Sequence, residues 1–378
     1  MREKLFTLIL LSLFLNQTYC WEKTFGSQSS DRVNSVARLD DNSFVIVGSS
    51  ETGSCEDGGA VEAYVVKIGS DGILQWEKRF GESEKSSEAN AVVIVDGNIY
   101  IAGSSYDEKG IWFLKLDQHG EILFSQDFNG TSCNDIILTL DNHLLFAGAK
   151  KSHEGDMFGD IFLIKTSLDG DTIWTKQYGD KEYLERARKV IQNVDGSFIV
   201  LAEYWHVGVD NQQVLILKLD ESGDVLWSRY YSSDFDVWGN SIIAEDDGFA
   251  IAGGNFTSSS IEALIHKYNE SGELLWSNKY QLDNNPTFFS EITPTNNGGY
   301  IATGTIGGHQ IGWADVCLFK LDSNGNVLWK KVYGGEDLDY GVCAIQNREN
   351  EIVIFADTKS FGAGDFDIWV IKADSLGN

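Results

Sequence analysis

Short apolar runs set between polar turns recur from Trp21 to Asn378. One class ends on a small residue: FVIVG (44–48), IYIAG (99–103), LLFAG (144–148), FAIAG (249–253) and YIATG (300–304). A second ends on lysine: AYVVK (63–67), IWFLK (111–115), IFLIK (161–165), VCLFK (316–320) and IWVIK (368–372). Runs of this length, rich in Val, Ile and aromatics, predict strands. A shorter strand precedes each pair, as in NSVARL (34–39) or NSIIAE (240–245), and a fourth follows with an aromatic, as in ILQWEKRF (73–80).

The four runs keep one register along the chain. The lysines are Lys67, Lys115, Lys165, Lys218, Lys267, Lys320 and Lys372. Five residues after them stand Gly72, Gly120, Gly170, Gly223, Gly272, Gly325 and Gly377. Four residues further come Trp76, Phe124, Trp174, Trp227, Trp276 and Trp329, and the seventh aromatic is supplied at the other end, where WEKTF (21–25) echoes WEKRF (76–80). Seven repeats of about 50 residues, the last completed by the first segment, describe a ring. The fold class is all-β: a seven-bladed β-propeller of four-stranded antiparallel blades, closed by the N-terminal strand. The blades fall at about 31–81, 87–129, 133–179, 186–231, 239–280, 288–334 and 341–378 plus 21–26, in one domain over 21–378.

Turn chemistry agrees. D-x-x-G at 117–120, 220–223, 322–325 and 374–377 joins strands three and four, with Asp capping a type I turn and Gly taking a positive φ. Strands one and two join through Asp-Gly-like hairpins such as VDGN and VDGS. The small residue ending strand two (Gly48, Gly103, Gly148, Ala202, Gly253, Gly304, Ala356) is expected to let neighbouring blades approach. Features shared by every blade are structural, so residues unique to one blade are the better functional candidates.

Charge narrows the partners. With 57 acidic against 29 basic residues the formal charge is -28. Such a surface repels phosphate backbones and anionic lipids, which argues against nucleic acid and membrane insertion. MREKLFTLILLSLFLNQTYC (1–20) has a basic start and an apolar stretch too short to span a bilayer, so it reads as a secretory signal. The expected location is secreted, extracellular or periplasmic, with lipid anchoring at Cys20 as the alternative. Cys55, Cys133, Cys317 and Cys343 are scattered and form no CxxC pair, which indicates neither zinc nor a disulfide framework. Any metal is unknown, and calcium at DSNGN (322–326) is weighed only as a loop-like spacing lacking its downstream acid.

Loops between strands two and three and between blades are long and irregular, and both emerge on one side of the disc. Variable loops on a rigid scaffold carry binding. Candidate ligand-binding residues there are Tyr204, Trp205, His206, Phe235, Asp236, Trp238, His309, Trp313, Asp339 and Tyr340. Aromatics beside carboxylates suit sugar rings and hydroxyls. The basic cluster Arg186, Arg188 and Lys189, on the inner strand of blade four, is expected to neutralise carboxylates around the central channel. No catalytic residue is assigned, because no HExxH, G-x-S-x-G or P-loop occurs.

The repeat resembles that of a broad group of secreted microbial β-propeller proteins whose unit reads I-K-L-D-x-x-G-x-x-x-W-x-K-x-[YF]-G-G. TNNGGYIATG (295–304) and WKKVYGG (329–335) carry the likeness. It is more distantly similar to the quinoprotein (PQQ-like) and WD40-like propellers, and its turn resembles the Asp-box of sialidases. The turn is one residue shorter than the quinoprotein repeat, and the sequence requires no cofactor. The expected function is a monomeric binding module for a glycan or extracellular protein. The alternatives are a polysaccharide hydrolase or lyase using Asp236, Glu336, Asp337 and Asp339, and a structural assembly scaffold.

Overall fold

The computed structural model describes residues 20–52, 60–81, 86–105, 110–151, 159–179, 183–206, 212–233, 235–308 and 312–378. Residues 1–19, which hold most of the signal-like segment, and Cys55 lie outside that set, as does His309. Seven four-stranded antiparallel sheets follow one another around a ring. In the first, Asp31–Arg38, Phe44–Thr52, Ala60–Ile68 and Leu74–Phe80 lie side by side in chain order. The middle strands are buried on both faces, whereas the fourth alternates exposed and half-buried residues. The fourth strand is therefore outermost and the first lines the axis. The seventh sheet takes Trp21–Phe25 as its outer strand, with Trp21 opposite Lys372 and Phe25 opposite Ile368. The N-terminal strand closes the ring, as the register predicts, and covers what would be an open edge of Asp367–Ala373.

The outer aromatic does more than fill space. Each one lies on the turn glycine of the following blade: Trp21 on Gly72, Trp76 on Gly120, Phe124 on Gly170, and so on to Trp329 on Gly377. All seven glycines have φ between +75° and +87°. A methyl group at Gly72 would stand 2.7 Å from the Trp21 ring, and one at Gly272 would stand 2.8 Å from Trp227. Two requirements thus meet at one residue, a left-handed backbone and no side chain. The rest of the W-x-K-x-[YF] phrase grips the same turn. Trp76 Nε1 donates to Gln118 O (2.9 Å) and Lys78 Nζ to Gly120 O (2.9 Å). The Tyr280 and Tyr333 hydroxyls donate to Gly325 O (2.8 Å) and Gly377 O (2.9 Å). Most register lysines hold turn carboxylates, such as Lys165 on Asp141 (2.7 Å) and Lys372 on Glu351 (2.7 Å).

A second device repeats at the axis. Every inner strand carries a one-residue bulge, at Asn34, Asn90, Asn134, Arg188, Asn240, Ser290 and Val342. The bulge aims the extra side chain at the next blade. Asn34, Asn90, Asn134 and Asn240 donate to the carbonyls of Ala89 (3.0 Å), Cys133 (2.8 Å), Ala187 (2.7 Å) and Phe289 (2.8 Å). The bulge also corrects the expectation for the small residues ending strand two. Five of them are glycines facing the bulge within their own blade, and a methyl at Gly48 or Gly304 would sit 1.8 or 1.9 Å from the Arg32 or Phe288 carbonyl oxygen. Their smallness serves the bulge rather than blade-to-blade contact.

Two buried titratable groups make stability depend on pH in opposite senses. His266 is buried against Tyr231 (4.4 Å between ring centres), and neither ring nitrogen has a hydrogen-bond partner among the described residues. Burial and the Lys279 charge push its pKa down to about 4. Protonation therefore favours the unfolded chain, and stability falls as pH drops from about 6.5 toward 4, by at most about 3 kcal/mol. Asp357, at the junction of blades seven and one, is pushed up to about 6 by burial, against hydrogen bonds from Val33 N and Arg32. Its contribution is present at low pH and is lost as pH rises from about 4 to 6, by a similar amount.

Two predictions follow from these features. Gly272→Ala, at a clamped turn, loses about 3 kcal/mol in urea unfolding. Gly298→Ala, with φ +71° and nothing within 4 Å, loses only the backbone cost of about 1 kcal/mol. Equal losses would remove the clamp. His266→Phe gains more stability relative to the parent in mildly acidic buffer than at neutrality, while Asp357→Asn does the reverse. Differences independent of pH would contradict both assignments.

Candidate functional site

The long loops place their aromatics in patches on one end of the disc. Tyr204 stacks on Tyr183 and meets Tyr230 edge-on, both at 4.8 Å between ring centres. Trp205 follows on the same strand end and is 44% exposed. His206 pairs with Tyr183 at the strand terminus through the backbone. Phe235 is 41% exposed in the connection to blade five. Beside it, Asp236 accepts from Gln212 N (2.7 Å), and its own carbonyl accepts from Phe256 N (2.9 Å). Trp238 lies over Gly254 and packs on Phe256 at 5.2 Å.

A separate group forms at blades six and seven. Trp313 is 78% exposed, held through its carbonyl by Gly308 N (2.9 Å). Asp339 is fully buried and accepts from Gly335 N (2.8 Å), Ser360 Oγ (2.8 Å) and the Thr358 hydroxyl, so it organises the loop ahead of blade seven. Tyr340 stacks on Phe366 at 5.7 Å, and the Arg32 guanidinium lies over that same ring at 3.7 Å. The structure thus groups Tyr204 with Tyr183 and Tyr230 in blade four, and Tyr340 with Phe366 and Arg32 where blades seven and one meet. Trp205 and Trp313 stand exposed at or beside the ends of their strands. The sequence reading missed Tyr183, Tyr230, Phe256, Phe361 and Phe366, which complete these patches. Tyr183 and Phe256 occupy strand ends beside the long loops, a signal available from the register.

Exposed apolar residues are sorted by chemistry. Among the described residues six large exposed hydrophobics are aromatic: Trp205, Tyr230, Phe235, Phe256, Trp313 and Phe361, all at the long-loop end. The fifteen others among the described residues are aliphatic and sit at the short-turn end, chiefly as pairs such as Val225–Leu226 and Leu274–Leu275 opening the outer strands. The aliphatic pairs recur in blade after blade and belong to the scaffold. The aromatics do not.

At the axis the predicted neutralisation is present. Arg186 and Arg188 both pair with Glu203, at 2.6 and 3.1 Å, and Lys189 stands 3.7 Å from Asp135. A cavity of about 340 Å³ opens here, lined by Arg188, Lys189, Asn240, Glu291, Phe288 and Tyr340 among others. Burial raises the Asp135 and Glu291 carboxyls, while the Asp135 charge raises Lys189. Cys133, Cys317 and Cys343 are buried free thiols in three different blades. Among the described residues no group of three or more His, Cys, Asp or Glu side chains converges on a metal site. At DSNGN the Asp322 carboxylate accepts from Asn324 N (2.9 Å), Asn326 N (2.8 Å) and Asn326 Nδ2 (2.9 Å), so it caps its own turn.

Comparison with known proteins supports the architecture. Residues 210–364 match the PQQ_2 family, described as outer membrane protein assembly factor BamB. No curated protein matches the chain. Among solved structures, the Dos1 propeller is 14% identical, with a TM-score of 0.55 over 93% of this chain and 94% of that one. The WD40 β-propeller domain of Doa1 is 11% identical, with a TM-score of 0.54 over 93% and 97%. The propeller domain of the trilobed protease from Pyrococcus furiosus is 10% identical, with a TM-score of 0.55 over 93% and 97%; it has an open velcro topology, whereas here Trp21–Phe25 closes the ring. At these identities the likeness establishes a β-propeller fold, whose seven blades are counted in this chain itself, and residues 210–364 add a PQQ-like repeat.

Proposed function

We propose that this chain is an extracytoplasmic binding module that recognises a glycan or an extracellular protein through its long-loop face. One observation carries the reading: among the described residues the exposed aromatics gather at that end, outside the scaffold register, while the exposed aliphatics gather at the other. Aromatic faces stack on the C–H faces of sugar rings and anchor protein partners at low conformational cost. The surrounding surface is acidic, with Glu336 and Asp337 exposed beside the buried Asp339, and its carboxylates suit hydroxyl donors. The partial match to an outer membrane assembly factor supports a placement outside the cytoplasm and a role in assembly or recognition. Among the described residues no helix is long and apolar enough to cross a membrane.

The test uses residues 21–378 on an immobilised panel of neutral polysaccharides, with Trp205→Ala and Trp313→Ala beside the parent. Trp313 is largely exposed and Trp205 nearly half exposed, so each variant stays folded with a melting temperature within a few degrees of the parent, while binding weakens by about tenfold or more. Unchanged binding in both variants, or no glycan retained by the parent and no extracellular protein captured through these residues, would contradict the proposal.

A further inference from the structure

Seven equivalent positions follow the inner-strand bulges: Ser35, Ala91, Asp135, Lys189, Ser241, Glu291 and Cys343. Where this position is polar, it can take a scaffold bond from the next blade. Asp135 Oδ2 accepts from Val190 N (2.9 Å), and Ser241 Oγ accepts from Ile292 N (3.3 Å). Glu291 takes no such bond and has no hydrogen bond or ion pair among the described residues, although its carboxylate lines the cavity. The amide ladder is interrupted around the same cavity. Arg188, Ser290 and Val342 replace the bulge asparagine, and Phe288 and Tyr340 supply an aromatic wall.

The charges inside do not cancel locally. On the blade-four side two guanidiniums, Arg186 and Arg188, share the single carboxylate of Glu203, which leaves one positive charge in excess. Arg188 uses Nε on Glu203 and one terminal nitrogen on Asn240 Oδ1 (3.4 Å), so its fork retains further donors. On the other side Lys189 stands between two carboxylates, Asp135 and Glu291, which leaves one negative charge in excess. The cavity lining therefore carries a guanidinium, Arg188, and a carboxylate that accepts no hydrogen bond among the described residues, Glu291. Both Arg188 and Glu291 are partly exposed to this cavity, and an occupant that displaces water there strengthens its pairing with each of them.

We infer that this axial cavity is a binding site for a small zwitterion of the α-amino acid class, its carboxylate on Arg188 and its ammonium on Glu291. A volume of about 340 Å³ suits one such molecule. Uncharged sugars would leave both excess charges unpaired, and a simple anion or cation would satisfy only one of them. This inference stands on the channel geometry and does not depend on the long-loop aromatics.

The experiment is calorimetric titration of residues 21–378 with glycine, L-serine and L-leucine in mildly alkaline buffer, with acetate, ethylamine and D-glucose as controls. At least one amino acid binds in the millimolar range or tighter, and the three controls bind about tenfold more weakly or not at all. Glu291→Gln removes a carboxylate that accepts no hydrogen bond among the described residues and whose charge burial opposes, so the ligand-free melting temperature stays or rises while amino acid binding weakens about tenfold. Trp205→Ala leaves this binding unchanged. No heat from any of the three amino acids would overturn the proposal, as would glucose binding as well as they do. So would a Glu291→Gln variant that melts lower than the parent yet still binds, because Glu291 would then serve the scaffold.

Discussion

An aromatic ring resting on a bare, left-handed glycine of the next blade is the contact on which this molecule depends. It occurs at all seven junctions, from Trp21 on Gly72 to Trp329 on Gly377. Each blade alone is a sheet whose middle strands are apolar on both faces, so it cannot be stable without neighbours on either side. The clamp sets how blades meet at the rim, and the bulge amides of Asn34, Asn90, Asn134 and Asn240 set how they meet at the axis. Between these two sets of bonds lie seven apolar clusters, each spanning two neighbouring blades. Closure by Trp21–Phe25 makes the last junction equivalent to the other six.

Repetition explains why the fold was legible. Lys, Gly and aromatic recur at fixed offsets because each performs one local task, and a local task leaves a local signature. The D-x-x-G turns, the ring closure and the pairing of Arg186, Arg188 and Lys189 with carboxylates could all be read from spacing. The bulges could not, because a one-residue insertion in a short strand leaves the apolar pattern almost unchanged. Its trace was the asparagine opening NSVA, NAVV, NDII and NSII, whose partner carbonyls lie 43 to 55 residues away. The glycines opposite the bulges were recognised as necessary but given the wrong neighbour for the same reason.

The candidate sites were less legible than the scaffold because their members come from different repeats. Tyr204 gains its meaning from Tyr183 and Tyr230, and Tyr340 from Phe366 and Arg32. Asp339 stood out in the sequence as a loop carboxylate, yet the structure buries it and occupies both of its oxygens. Glu291 did not stand out, although seven-fold comparison of its register position shows a carboxylate where the neighbouring blade has serine. In a ring of repeats, the useful question for each position is which blade departs from the others and whether the scaffold uses the departure. By that measure the long-loop aromatics and the axial charges separate from the structural background.

Truncation of the closing strand, comparing residues 26–378 with residues 21–378 by amide hydrogen exchange, addresses the ring most directly. The account predicts that loss of Trp21–Phe25 deprotects the newly exposed Asp367–Ala373 strand and the Gly72 turn together, because one segment holds both. The melting transition should also fall and broaden, as the first and last blades lose a shared junction. Protection unchanged at both places, with an unchanged melting temperature, would show that the ring does not depend on its clamps.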